Sequence, residues 1–264
     1  FLSDENGPYL TGHVLKGKRV VPATAVCGYI ARHVKCTHPG RRINCFKDVK
    51  LVRGITLEEG ENIVCCTKMC RVTDCDDTLQ VQVFSANSDR CKYNAVVVLK
   101  PLGKKMSNSP SRNISHAISL DEFNDTENKV DPLWIYDKAT GIFHTGPLRM
   151  INTMEVSKKG NLFRFSCYHQ MGDNLGWILD SLSQAVVLSG IWTTKSKGIP
   201  NTEFLNDLCF SWDSVPSCFE VYVELEYKEK LSRVDGRVWG VGSNGMIFCH
   251  AKSLRMTHSA TLEY

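Results

Sequence analysis

The apolar positions along the chain fall into two rounds of one pattern. In the first round an apolar stretch from about Ala23 to Val34 follows Pro22. Proline suits a helix start, because its fixed φ is already helical and its missing N–H would have no partner there. Strand-like runs come next: residues 79–83 alternate apolar and polar side chains, and residues 95–99 are continuously apolar. In the second round residues 162–168 read as a strand and residues 175–191 as a long apolar helix. Residues 219–227 then alternate almost without fault, the mark of a sheet with one buried face.

Between the rounds, over residues 101–131, Ser, Asn, Asp and Lys dominate and the periodicity disappears. The expected organisation is an N-terminal unit at 1–104, a linker at 105–130 and a C-terminal unit at 131–264. Each unit would hold one buried helix followed by an antiparallel meander. Periodicity carries the fold class to α+β and no further.

Composition narrows the functional classes. A chain of 264 residues can bury a core as one domain or as two of about 130. Contents of 42% apolar and 23% charged residues are those of an ordinary globular protein. No stretch approaches the roughly 18 uninterrupted apolar residues of a membrane helix, and no basic-then-apolar leader opens the sequence. The expectation is a soluble, cytoplasmic protein without a membrane partner. The net charge of +4 is spread along the chain, which argues against a nucleic-acid partner and leaves room for an acidic protein partner.

The 12 cysteines are irregularly spaced in a chain long enough to need no staples, so free thiols are expected. The densest group, Cys65, Cys66, Cys70 and Cys75, has no Cys-x-x-Cys pair and no neighbouring His, so no metal site is expected and these read as small apolar strand residues. The Asn-x-Ser/Thr triplets at Asn113 and Asn124 matter only in a secreted protein and are read as chance.

Two places carry candidate chemistry. Asp180 is the only charged residue of the apolar helix 175–191. Either it is exposed near the helix start, where negative charge is favoured, or it is buried and held protonated, which would make it a general acid. Gln184, four residues on, shares its face and could orient the carboxyl or the same ligand. His13 stands ahead of Gly17 and Pro22, at a turn leading into the first helix. A histidine there could act as a base near neutral pH, while free backbone amides polarise a carbonyl. The commoner alternative for each is plain: a solvated or capping Asp, and a surface loop His.

The order His13-x-x-x-Gly17-x-x-x-x-Pro22, then Asp180-x-x-x-Gln184 on a later helix, resembles the dehydratase domains of polyketide and fatty-acid synthases. Two further segments fit in the same order. Residues 141–148, with Gly146 and Pro147, resemble that family's Gly-Tyr-x-Tyr-Gly-Pro-x-Phe, and residues 208–212 its Leu-Pro-Phe-x-Trp. The resemblance implies a double hotdog, with the His from the first unit and the Asp from the second facing one substrate tunnel.

It further implies dehydration of a β-hydroxyacyl thioester delivered on the phosphopantetheine arm of an acyl carrier protein, with no bound cofactor. His13 would remove the α-proton and Asp180 would protonate the leaving hydroxyl, with Gln184, Gly17, Pro22, Gly146 and Pro147 binding or orienting substrate. Neighbouring synthase domains are implied as partners, and a homodimer is allowed. Lys16, Lys18 and Arg19 would offer a basic rim to the carrier.

The sequence departs from the pattern at several positions. Phe143 and Thr145 stand where the family has tyrosines, Cys209 stands where it has proline, and Gly12 precedes His13 where an Asp is usual. A Gly-His pair and an Asp-Ser-Leu-x-Gln helix are also similar to product-template domains, which share the fold and direct aldol cyclisation of a poly-β-keto chain. A degenerate, non-catalytic hotdog is the third reading.

Overall fold

The computed structural model describes residues 12–15, 18–52, 54–57, 65–72, 77–85, 90–102, 113–123, 129–136, 144, 146–168, 175–195, 201–210, 216–228 and 233–257. The chain divides into two compact units. The first comprises Phe1–Lys105, Phe143–Arg149 and Asp173–Asp180; the second comprises Met106–Ile142, Met150–Gly172 and Ser181–Tyr264.

In the first unit, strands β1 (Val14–Leu15), β2 (Lys18–Val20) and β4 (Thr56–Leu57) form a small antiparallel sheet in the order β1-β2-β4. Helix α1 (Ala23–Thr37) follows, with Pro22 as its N-cap in extended conformation. It packs against β3 (Arg41–Leu51), and Val26, Ile30 and Val34 are among its buried residues. Strand β3 belongs to an antiparallel sheet with β5 (Cys65–Arg71), β6 (Thr78–Ser85) and β7 (Cys91–Pro101), in the order β5-β6-β7-β3. Strict alternation buries Leu79, Val81, Val83, Tyr93, Ala95, Val97 and Leu99 on one face. The Tyr93 hydroxyl is satisfied by the Val21 carbonyl at 3.1 Å, which ties this sheet to the start of α1.

In the second unit the strands are β8 (Lys129–Val130), β9 (Ile151–Val156), β10 (Leu162–Tyr168), β11 (Asn201–Phe210), β12 (Cys218–Lys228), β13 (Arg233–Gly242) and β14 (Ile247–Thr257). They form an antiparallel sheet in the order β11-β14-β13-β12-β10-β9-β8. Residues 113–123, read above as part of a connecting stretch, also pack: Ile114, Ile118 and Phe123 join Leu162, Tyr222, Trp239 and Val241 in one apolar cluster. Ile114 and Phe123 sit on 3-10 turns and Ile118 on the bend between them, a spacing with neither the helical nor the strand period that so escapes a periodicity reading.

A short helix α2 (Pro132–Ile135), capped by Asp131 through the Leu133 N–H at 2.9 Å, precedes β9. The long helix α3 (Leu175–Thr194) has its first six residues in the first unit and continues into the second. From 175 to 191 every residue but Ser183 is buried, as expected of a helix apolar on all sides. Its mean hydropathy of 1.2 would by length and composition let it cross a membrane, but 89% of that window is buried within protein, and a core helix accounts for it.

The fold is therefore α+β, with antiparallel sheet in each unit, α1 in the first and the greater part of α3 in the second. Cys27, Cys36, Cys45, Cys70, Cys91, Cys167, Cys209, Cys218 and Cys249 are free thiols. Burial pushes the Cys27 thiol up to about 12 and raises those of Cys167 and Cys249 as well, so these three behave as apolar filling.

Candidate active site

Local hydrogen bonding fixes His13 before any chemistry is considered. Its backbone carbonyl accepts from the Val20 N–H at 3.1 Å, and its ring Nδ1 lies 2.8 Å from the Val20 carbonyl. A carbonyl oxygen only accepts, so Nδ1 carries the proton and Nε2 keeps its lone pair. This is the tautomer a general base acting through Nε2 requires.

His13 is also half of an isolated antiparallel bridge whose other half is His144, and the two rings lie 5.4 Å apart with a 48° tilt. His144 in turn places Nε2 4.0 Å from Oδ2 of Asp180. The other carboxyl oxygen, Oδ1, accepts from the Thr24 hydroxyl at 2.9 Å. His13, His144, Asp180 and Thr24 thus form one continuous group within the first unit.

Asp180 is 6% exposed, in the second turn of α3, which removes the solvated-cap alternative. Burial also governs His144. It lowers the imidazole pKa, the Asp180 carboxyl raises it by a lesser amount, and His13 lowers it further. Burial outweighs the attraction of the carboxyl, so the His144 ring is neutral near neutral pH and its approach to Asp180 is not a formed ion pair.

The supporting residues fall around this group. Pro22, Thr24, Leu148, Trp177 and Asp180 line a small recess in which Thr24 and Asp180 supply the polar side chains. Gly146 and Pro147 form a 3-10 turn with Leu148, and Gly146 has φ of +55°, which a residue with a Cβ adopts only with strain. That turn begins two residues after His144, and Arg149 Nε donates to the His144 carbonyl at 3.0 Å.

Gln184 is buried one turn beyond Asp180, and its Oε1 accepts from the Tyr136 hydroxyl at 2.9 Å. The same hydroxyl accepts from the Ile151 N–H at 2.9 Å. Gly17 and Lys16 lie outside the described residues, as does the side chain of Lys18. Among the described residues no cluster of His, Cys, Asp or Glu suits a metal ion.

Sequence reasoning missed His144 and Thr24 as parts of the candidate site. His144 was visible only as the variable position between Phe143 and Thr145. Its bridge partner His13 is more than a hundred residues away, so no local spacing could have paired the two.

The sequence matches no protein-family model and no curated protein. Solved structures are similar over nearly all of the chain. The dehydratase domain of the CurJ module of the curacin polyketide synthase aligns with a TM-score of 0.75 at 13% identity, covering 98% of this chain and 89% of that one. An inactive Asp-to-Asn variant of the CurK dehydratase aligns with a TM-score of 0.75 at 16% identity, covering 98% and 92%. A His-to-Phe variant of the PpsC dehydratase domain from Mycobacterium tuberculosis aligns with a TM-score of 0.71 at 14% identity, covering 95% and 89%. At such identities these alignments establish the fold: the chain has the double-hotdog fold of polyketide synthase dehydratase domains.

Proposed function

We propose that this chain is a dehydratase domain that removes water from a β-hydroxyacyl thioester to give the α,β-enoyl thioester. The observation that carries the reading is the tautomer and placement of His13. Its Nδ1–H is committed to Val20, its Nε2 is left basic, and its ring stands in the same continuous group as the buried Asp180. A base and an acid held in one small site are what elimination of water needs.

His13 Nε2 takes the α-proton, and the C–H electron pair becomes the new double bond. The β-carbon–oxygen bond breaks as Asp180 passes a proton from Oδ2 to the departing hydroxyl, which leaves as water. Thr24, bonded to Oδ1, supports this assignment by leaving Oδ2 as the transferring oxygen. Proton transfer from His13 back to Asp180 resets the site. Each transfer typically contributes about 10²- to 10⁴-fold, so substrate positioning must supply the remainder.

The substrate would arrive on the phosphopantetheine arm of an acyl carrier protein, with other synthase domains as neighbours. Support comes from the motif order in the sequence and from the inactive His and Asp variants among the structures of the same fold. The test is incubation of a β-hydroxyacyl thioester with the protein and detection of the enoyl product by loss of the mass of water. Ring closure of a poly-β-keto thioester without any enoyl product would instead support the product-template reading.

A further inference from the structure

His144 has no role in the mechanism above, yet it occupies the position between its two proton-transfer groups. Its side chain is only 12% exposed, and both ring nitrogens are buried without a hydrogen-bond partner among the described residues. A neutral imidazole offers one donor and one acceptor, and most buried polar atoms in folded proteins are paired. A structural core histidine would be expected to satisfy at least one of them.

The ring is nonetheless held in place. Its backbone bridges His13, its carbonyl is bonded by Arg149, and the Gly146 turn fixes the chain that follows. A ring on a held backbone, with no hydrogen-bond partner for either nitrogen among the described residues and a carboxyl across a gap, is shaped for a ligand atom.

The size of the gap indicates which atom. Nε2 and Oδ2 are 4.0 Å apart, too far for a direct hydrogen bond. An oxygen about 2.8 Å from each would bridge them with an angle of about 90° at that oxygen, within the range a hydroxyl tolerates between one donor and one acceptor. We propose that His144 is a substrate-binding residue that holds the β-hydroxyl against Oδ2 of Asp180, so that the leaving group is hydrogen-bonded from two sides before the proton moves. The neutral state that burial imposes on the ring suits this task, because a charged imidazolium could only donate and would compete with the acid. The location also fits the sequence: His144 lies between Phe143 and Thr145, which carry neither phenol of the pattern this segment resembles.

This inference rests on the dehydratase reading, and its test is chosen to separate the two. The probe is the N-acetylcysteamine thioester of 3-hydroxy-2,2-dimethylbutyrate, which has no α-hydrogen and cannot lose water. Its control is the same thioester without the hydroxyl. Calorimetric titration of the wild-type protein should show about tenfold tighter binding of the hydroxylated probe, the size of one well-made hydrogen bond in a buried site. In His144→Phe the preference should fall to about one while the control binds as before, and His144→Gln, which keeps a donor and an acceptor, should recover part of it.

A preference undiminished in His144→Phe, equal loss for both probes, or no preference in wild type would each overturn the proposal. Should His144→Phe not fold, the imidazole nitrogen resonances of His144 in wild-type protein give the same reading. They should move with the hydroxylated probe and not with the control, and equal movement would overturn the proposal. Enoyl formation combined with an unchanged preference in His144→Phe defeats the role of His144 alone. A clear preference in a protein that forms no enoyl product defeats the dehydratase reading and leaves the hydroxyl site standing.

Discussion

The Thr24 hydroxyl donates to Oδ1 of Asp180 at 2.9 Å from a position 156 residues away in sequence, and Oδ2 lies 4.0 Å from Nε2 of His144. Thr24 lies in the first turn of α1 and Asp180 in the second turn of α3, so two helix starts in the first unit define the orientation of one carboxyl. In the proposed mechanism Oδ2 carries the transferred proton, and the bond accepted at Oδ1 aims it.

Removal of this bond should therefore act on the chemical step. Thr24→Val keeps the shape and loses the donor, and kcat should fall about tenfold with KM little changed, since one orienting bond contributes about 1 kcal/mol or somewhat more. Thr24→Ser should restore most of the rate. Steady-state kinetics on a β-hydroxyacyl thioester decide the matter: a raised KM with intact kcat would mean that Thr24 binds substrate instead.

His144 predicts a dependence of stability on pH. Burial holds its folded-state pKa below the ordinary 6.5 of the unfolded chain. Between the depressed value and 6.5 the unfolded chain binds a proton that the folded protein does not, so stability falls as pH drops through that window and is fully present above it. Urea unfolding above and below pH 6.5 should show this loss in wild type and a smaller one in His144→Gln. An identical pH response in the two proteins would contradict the assignment.

Much of this site was not legible in the sequence, and the reasons are physical. The helices at Ala23–Thr37 and Leu175–Thr194 and the strands at Leu162–Tyr168 and Cys218–Lys228 follow from local periodicity, because burial of one face or of a whole helix is written into neighbouring residues. His13 and Asp180 were singled out through motif order. Thr24 and His144 were not, because each is defined by a partner brought near only by folding. The apolar residues at 114, 118 and 123 escaped for a related reason: two 3-10 turns and the bend between them follow no period that a pattern search rewards.

Tyr136 should matter through Gln184. Its hydroxyl bridges Gln184 Oε1 and the Ile151 N–H, so Tyr136→Phe leaves a buried acceptor and a backbone donor unpaired, at a cost of about 1–3 kcal/mol in stability. Activity should decline in Tyr136→Phe and in Gln184→Ala to a similar, moderate extent, and far less than in Asp180→Asn. Equal loss in Gln184→Ala and Asp180→Asn would place Gln184 among the proton-transfer groups.

Gly146 provides a test of loop geometry independent of any side chain. A Cβ added there meets nothing within 4 Å, so the cost of Gly146→Ala is the backbone strain of φ +55° alone, about 1 kcal/mol. The melting temperature should fall by about 2–4 °C. If the turn positions His144, the preference for the hydroxylated probe should fall too, whereas an unchanged preference would show that the ring is held without it.

The central claim is that His13 and Asp180 act as a pair on one substrate, and it is tested most directly by enoyl formation in wild type, His13→Ala, Asp180→Asn and the double variant. Wild type should form the enoyl thioester, and each single variant should lose about 10²- to 10⁴-fold or more. The double variant should be no slower than the worse single, because groups that serve one transition state are lost together. Near-wild-type rates in either single variant, or losses that multiply in the double, would contradict the account.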